Sequence, residues 1–166
     1  MKRLLVMLLI VFVCLGITAC DPAWYYHYDN EERISNIVSV ELVNYNNSDE
    51  KEVSTYFSTR QVQQFDFEKL EVLEVIEGEG LSILLQHLSG IEIWGGWNHS
   101  DSPFGISLRV IYNNGEFDVV SSDDERDLQF FARFESNGRL SRYLGMFLNH
   151  SDFVELINTH FNIQVG

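Results

Sequence analysis

The segment 95–105 holds a dense group of side chains that are able to contact a ligand. Trp97 offers a ring that can stack on a sugar, a peptide or a protein partner, while His99 and Asp101 offer groups that can contribute to a metal site. Binding residues often lie on loops that a rigid scaffold positions. We therefore expect a candidate binding loop that comprises Trp94, Trp97, His99, Asp101 and Phe104. The alternative is an ordered connection in which Trp97 and Phe104 only pack.

The spacing within this loop does not match a catalytic or metal-binding motif. His99, Ser100 and Asp101 are adjacent, whereas the members of a catalytic triad must face one another across a fold. The chain also lacks a Gly-x-Ser-x-Gly elbow and any His-x-x-x-His or His-Glu-x-x-His spacing. The sequence thus predicts a protein that is not an enzyme and that requires neither a metal nor a cofactor.

Cys20 has the most specific sequence context in the chain. Lys2 and Arg3 precede an apolar run that extends from Leu4 to Ala19. A cationic start followed by an apolar run and small residues is typical of a secretory signal peptide. The run is shorter than the roughly 20 residues that a membrane-spanning helix needs. Cleavage after Ala19 as an ordinary secretory signal, or retention as an uncleaved anchor, are the alternatives.

The four residues Ile17-Thr18-Ala19-Cys20 resemble the lipobox of bacterial lipoproteins. In that family the cysteine becomes the first residue of the mature chain and receives a diacylglyceryl thioether, often with a further acyl chain on its amine. The resemblance implies that residues 1–19 are a signal peptide and that Cys20 is lipidated. Two acyl chains provide stable anchoring, whereas one binds only marginally. Asp21 resembles the inner-membrane retention signal of Gram-negative lipoproteins, which implies the outer, extracytoplasmic face of the cytoplasmic membrane.

The composition of the mature chain restricts its partners. Removal of residues 1–19 leaves 147 residues with 9 basic and 25 acidic side chains, a formal charge of −16. Such a chain has the size of one domain and repels nucleic acid. A protein or peptide partner with a basic surface is favoured instead. Because Cys14 leaves with the signal and Cys20 would carry lipid, the mature domain is expected to have no free thiol and no disulfide.

Residues 20–35 are interpreted as a lipidated tether, and residues 36–166 as a single globular domain. The tether contains a cluster of aromatic rings at Trp24, Tyr25, Tyr26 and Tyr28. Rings of this amphipathic kind prefer the membrane–water interface, so they are expected either to lie on the lipid headgroups or to pack on the surface of the domain itself.

Two hairpins are the clearest secondary-structure signals in the domain. The segments Ile106–Tyr112 and Phe117–Ser121 flank an Asn-Gly turn, as do Leu128–Glu135 and Arg139–Phe147. Asn-Gly between alternating apolar residues is a strong hairpin signal, because these residues tolerate the backbone conformation that tight turns require.

The remaining elements follow from periodicity. Asn36–Tyr45 alternates as a strand with Val38, Val40 and Leu42 on one face, and Ile91–Trp94 also favours a strand. The β-branched residues of Phe65–Ile76 favour a strand as well, with a helix as the alternative because apolar residues recur there at a spacing of three. The helical spacing of Leu81, Leu84, Leu85 and Leu88 predicts a short helix ended by Gly90 in a left-handed cap. A second helix is expected to be capped by Ser151 or Asp152, with Phe153, Leu156 and Ile157 on its apolar face. The order of these elements predicts an α+β fold, mainly an antiparallel meander sheet with two short helices packed on one face.

The strand–helix–hairpin order and the turn at Tyr112-Asn113-Asn114-Gly115 are similar to those of small lipoproteins of uncharacterised families in low-GC Gram-positive bacteria. The favoured function is a membrane-anchored, non-enzymatic binding domain. One alternative is an inhibitor or immunity-like protein that binds a basic enzyme through an apolar patch near Trp94 and Trp97, rimmed by carboxylates. Another is a cell-wall-active enzyme, which would need two facing carboxylates about 5–10 Å apart in a cleft.

Overall fold

The computed structural model describes residues 25–27, 34–45, 63–90, 92–94, 103–123, 128–143, 146–147 and 150–165. Their elements are β1 (Tyr25–His27), β2 (Ile37–Tyr45), a 3-10 helix (Phe67–Lys69), β3 (Leu70–Ile76), α1 (Glu79–Ser89), β4 (Glu92–Trp94), β5 (Gly105–Tyr112), β6 (Phe117–Asp123), β7 (Leu128–Phe134), β8 (Leu140–Tyr143), β9 (Met146–Phe147) and α2 (His150–His160). Strands β3-β2-β5-β6-β7-β8 form one antiparallel sheet in that order, and β1-β4-β9 form a second. The α+β meander predicted from the sequence is confirmed.

Both predicted hairpins are present, and their turns are built in the same way. Gly115 and Gly138 adopt φ of +83° and +84°, a region that side chains other than glycine rarely enter. In each turn the preceding asparagine accepts a backbone hydrogen bond: Asn114 Oδ1 from Glu116 N at 3.0 Å, and Asn137 Oδ1 from Arg139 N at 2.8 Å. The asparagine thus closes the turn, and the glycine reverses the chain.

Apolar side chains cover both faces of the six-stranded sheet. The neighbours Val119 and Val120 in β6 belong to different clusters, because successive side chains of a strand point to opposite faces. The helix-side core contains Val120 together with Ile37, Val40, Leu42, Leu81, Leu84, Leu85, Leu88, Leu108, Val110, Tyr112, Phe131, Phe153, Leu156, Ile157 and Phe161. The far-side core contains Val119 with Tyr45, Phe65, Phe117, Phe130, Ala132 and Phe134. Both helices therefore pack on one face, as predicted.

The inward position predicted for Val38 is wrong. A β-bulge lies between Ile37 and Ser39 where β2 pairs with β5, so Val38 has no register partner on β5. An extra residue in one strand reverses the faces of the residues that precede it. Ile37 consequently occupies the buried position, and Val38 is 47% exposed.

Three element boundaries also differ from the predictions. The β3 strand begins only at Leu70, because a 3-10 helix precedes it. Gly90 ends α1 with φ of −81° and ψ of −11°, not in the left-handed region. The α2 helix begins at His150, so the predicted caps Ser151 and Asp152 lie within its first turn.

The predicted strand Arg139–Phe147 is divided between the two sheets. β8 ends at Tyr143 in the large sheet, and β9 pairs instead with β4, which in turn pairs with β1. Residues Tyr25–His27 of the predicted tether are thus part of a sheet, and Ile34 packs against the helix-side core.

Candidate functional site

The structure describes two residues of the predicted binding loop. Trp94 is the last residue of β4, where its register partners are Tyr25 on β1 and Met146 on β9. Phe104 is half-buried and packs against the far-side core, and its backbone N–H donates to Ser121 Oγ at 3.3 Å. Trp97, His99 and Asp101 lie outside the described residues, as does Cys20. Packing of Phe104 agrees with the alternative in which this residue serves the core.

Ser122 and His150 form a hydroxyl–imidazole pair that the sequence analysis did not identify. Ser122 lies near the end of β6, and its Oγ is 2.7 Å from Nδ1 of His150, the first residue of α2. A serine beside a histidine base is the beginning of a nucleophilic site, but the base must in turn be oriented by a third group. No carboxylate in the described part of the chain hydrogen-bonds this imidazole. The pair therefore joins the start of α2 to the sheet.

His87 and His160 form a second pair, which joins the two helices. His87 Nδ1 lies 3.0 Å from His160 Nε2, and the ring centroids are 5.2 Å apart. One nitrogen must donate and the other accept, so the bond requires at least one neutral ring. Burial, followed by the proximity of His87, lowers the pKa of His160 below its usual value of 6.5. The two residues are 73 positions apart, and nothing in their spacing could have revealed this contact.

Acidification is expected to weaken this helix–helix contact. Because the folded state holds His160 at a lowered pKa, the unfolded chain binds the proton at higher pH than the folded chain does. The free energy of unfolding should therefore decrease as the pH falls below 6.5 and through the lowered pKa of His160. The His160→Gln variant should lose less stability over this interval than the wild type when urea unfolding is measured above and below pH 6.5. Equal losses in the two proteins would contradict the assignment.

Tyr112, Asp118 and Arg133 form a polar network on the helix side of the sheet. Asp118 is fully buried; its Oδ1 accepts from Arg133 Nε at 2.6 Å, and its Oδ2 accepts from Tyr112 Oη at 2.7 Å. The guanidinium also lies 4.5 Å from the centre of the Tyr112 ring. Full engagement of the carboxylate and its burial indicate a structural role. Asp118 and Arg133 occupy directly paired positions of β6 and β7, a register that the sequence analysis did not predict.

A neutral groove of about 470 Å³ lies beside α1. Ile37 at the start of β2 and Leu81 and Leu85 of α1 provide apolar walls, while Ser82 and Gln86 provide polar groups. Among the described residues no charged side chain lines it, in contrast to the acidic composition of the chain. The groove is shallow and open to solvent, and its apolar walls with a few polar groups suit contact with a neutral, partly apolar surface.

No three histidine, cysteine, aspartate or glutamate side chains lie together in a way that could hold a metal ion within the described ranges. No helix among the described segments combines the length and the apolar character needed to cross a bilayer.

Comparison with known proteins does not assign the chain to a family. It matches no protein-family model, and no significant match is found among curated proteins or solved structures.

Proposed function

We propose that this protein is a bacterial lipoprotein, anchored through lipid on Cys20 to the outer face of the cytoplasmic membrane, whose domain acts as a non-enzymatic binding module. The observation that carries the proposal is the N-terminal sequence. Lys2 and Arg3, the apolar run and the sequence Ile17-Thr18-Ala19-Cys20 occur in the order that lipoprotein processing requires.

The chemistry of the described residues supports a binding role. The two histidine contacts and the Asp118 network join elements of the fold to one another, which gives each of them a structural explanation. The neutral groove beside α1 offers instead a concave surface with apolar walls and hydroxyl and amide groups. Such a surface can hold a ligand without reacting with it.

Replacement of Cys20 tests the anchor directly. Cells that produce the Cys20→Ser variant should incorporate labelled palmitate into this protein only at background level, because the thioether requires the cysteine sulfur. Cys14→Ser is the matched control: it removes the other cysteine of the chain, which lies within the signal, and should leave labelling unchanged. Persistent labelling of the Cys20→Ser variant would contradict lipidation at this position.

An inhibitor or immunity-like protein that binds a basic enzyme remains the second candidate. The observation that favours it is on β3, an edge strand of the large sheet on which the apolar side chains of Val72 and Val75 are 45% and 46% exposed. Exposed apolar side chains on an acidic chain suit a partner with a cationic surface. This patch differs from the one expected near Trp94 and Trp97, whose side chains lie outside the described set. A charge-steered complex of this kind would weaken as ionic strength rises, whereas filling of the neutral groove would not.

A further inference from the structure

The contact between His87 and His160 lies where both helices end. His160 is the last residue of α2, and His87 lies two residues before Ser89, the last residue of α1. Leu88, which follows His87, and Ile157, one turn before His160, are both buried in the helix-side core. The two imidazoles are therefore carried by packed elements of the fold.

The distance between the two rings suits a shared metal ion. His87 Nδ1 and His160 Nε2 lie 3.0 Å apart. A tetrahedral Zn²⁺ ion that two imidazole nitrogens bind at about 2.0–2.1 Å holds those nitrogens about 3.3 Å apart. The observed separation is about 0.3 Å shorter than this, so a small rotation of the two side chains is enough to admit the ion.

Both nitrogens are able to face an ion at the same time. In the hydrogen bond one ring donates its N–H, and the other accepts through its lone pair. A neutral imidazole carries one proton on either of its nitrogens, so the donating ring can hold that proton on the nitrogen that faces away from its partner. The ion then lies between two lone pairs, and two neutral rings bind it without a net release of protons.

The surroundings of the pair favour a cation. The C-terminal end of a helix carries a partial negative charge, and both α1 and α2 end at this contact. The chain has a formal charge of −14, which raises the concentration of cations near its surface. His87 and His160 are both half-buried, so the pair is open to an ion from the solvent.

We propose that His87 and His160 form a two-histidine site for a divalent transition-metal ion that accepts imidazole ligands, Zn²⁺ or Cu²⁺. Water completes the coordination shell, because no third histidine, cysteine or carboxylate joins the pair among the described residues. The bound ion fastens the end of α1 to the end of α2. This site goes beyond the proposed binding role and is independent of the lipidation of Cys20.

Zinc titration of the full chain tests the site. Zn²⁺ binding is measured by calorimetry for the wild type and for the variants His87→Gln, His160→Gln and His150→Gln. Loss of either ligand should weaken binding by at least the roughly tenfold that the loss of even an outer-shell partner costs. His150→Gln is the matched control, since its imidazole contacts Ser122 and not a second histidine, and it should bind Zn²⁺ as the wild type does.

The comparison isolates the pair from other metal-binding groups. Each variant keeps every other histidine and both cysteines of the chain, so binding elsewhere contributes equally to all four proteins. Unchanged affinity in His87→Gln or in His160→Gln would overturn the site, and so would an equal loss of affinity in His150→Gln.

A stability measurement separates ligation by imidazole from general attraction of cations to an acidic chain. Zn²⁺ should raise the urea concentration at the midpoint of wild-type unfolding, because the ion binds the folded state. Mg²⁺ prefers oxygen ligands and should produce no such rise at the same ionic strength. The same unfolding curves show whether each variant is folded. An equal rise with Mg²⁺ would overturn the proposal.

A measurement on the wild type alone makes the test independent of the variants. In ¹⁵N NMR spectra of the histidine rings, Zn²⁺ should shift the resonances of His87 Nδ1 and His160 Nε2 together, because the ion replaces the hydrogen bond between them. A shift of only one of these resonances, or of neither, at saturating Zn²⁺ would overturn the site.

Discussion

Replacement of Arg133 by alanine is expected to lower the free energy of unfolding by about 3–5 kcal/mol, because it leaves a buried carboxylate without its counter-charge. Asp118 is fully buried, and Arg133 supplies hydrogen bonds to both of its oxygens, at 2.6 and 2.9 Å. Tyr112 would lose at the same time the guanidinium that lies above its ring. Domains of this kind are stabilised by only about 5–15 kcal/mol, so the loss would be a large fraction of the total.

Urea unfolding of three variants measures this effect and identifies its cause. Arg142 is the matched control: it is exposed and stands opposite Arg133 on β8, so Arg142→Ala should change stability by no more than about 0.5 kcal/mol. The double variant Asp118→Asn/Arg133→Met removes both charges, and it should lose less stability than Arg133→Ala alone. A loss in Arg133→Ala no larger than that in Arg142→Ala would show that the network contributes little.

Leu84→Ala is expected to destabilise the domain by about 2–5 kcal/mol, since it removes buried methyl groups and leaves a cavity in the helix-side core. Leu84 lies on α1, and its side chain is completely buried in the helix-side core. Ile83, its neighbour on the same helix, is 65% exposed. Alanine is a good helix former at either position, so the two substitutions differ mainly in the apolar area that they take out of the core.

The comparison of Leu84→Ala with Ile83→Ala therefore isolates burial from helix propensity. We expect Ile83→Ala to lie within about 0.5 kcal/mol of the wild type in the same urea experiment. Similar losses in the two variants would mean that α1 does not pack through the Leu81, Leu84, Leu85 and Leu88 face. That face is the one predicted from the helical spacing of these leucines.

Local chemistry explains which parts of the fold were predictable. The Asn-Gly turns were found because glycine at positive φ is a property of the turn itself, and the asparagine hydrogen bond spans two residues. The buried face of α1 was predicted correctly because apolar residues at helical spacing lie on one side of a helix, and that side packs on the core. These features depend on residues close in sequence, and the α+β meander follows from them.

Features that depend on pairing between distant strands were not predictable. The bulge that turns Val38 outward arises where β2 pairs with β5, and one extra residue on β2 is enough to exchange its faces. The departure of β9 from the large sheet depends on the availability of β4, about fifty residues earlier in the chain. Neither event leaves a mark in the local alternation of apolar and polar residues.

Some candidate sites could be identified from the sequence, and others only from the structure. The proposed lipidation at Cys20 could be identified from the sequence, because processing enzymes recognise a continuous, extended N-terminal segment and not a fold. The sequence also determined the strands, the tight turns and the apolar faces of the helices, since these follow from side-chain periodicity and backbone preference. Only the tertiary structure decided that His87 meets His160, that Asp118 is enclosed by Tyr112 and Arg133, and that β1 joins β4 and β9. Those contacts are made by residues far apart in the chain, and they exist only when the whole sheet has assembled.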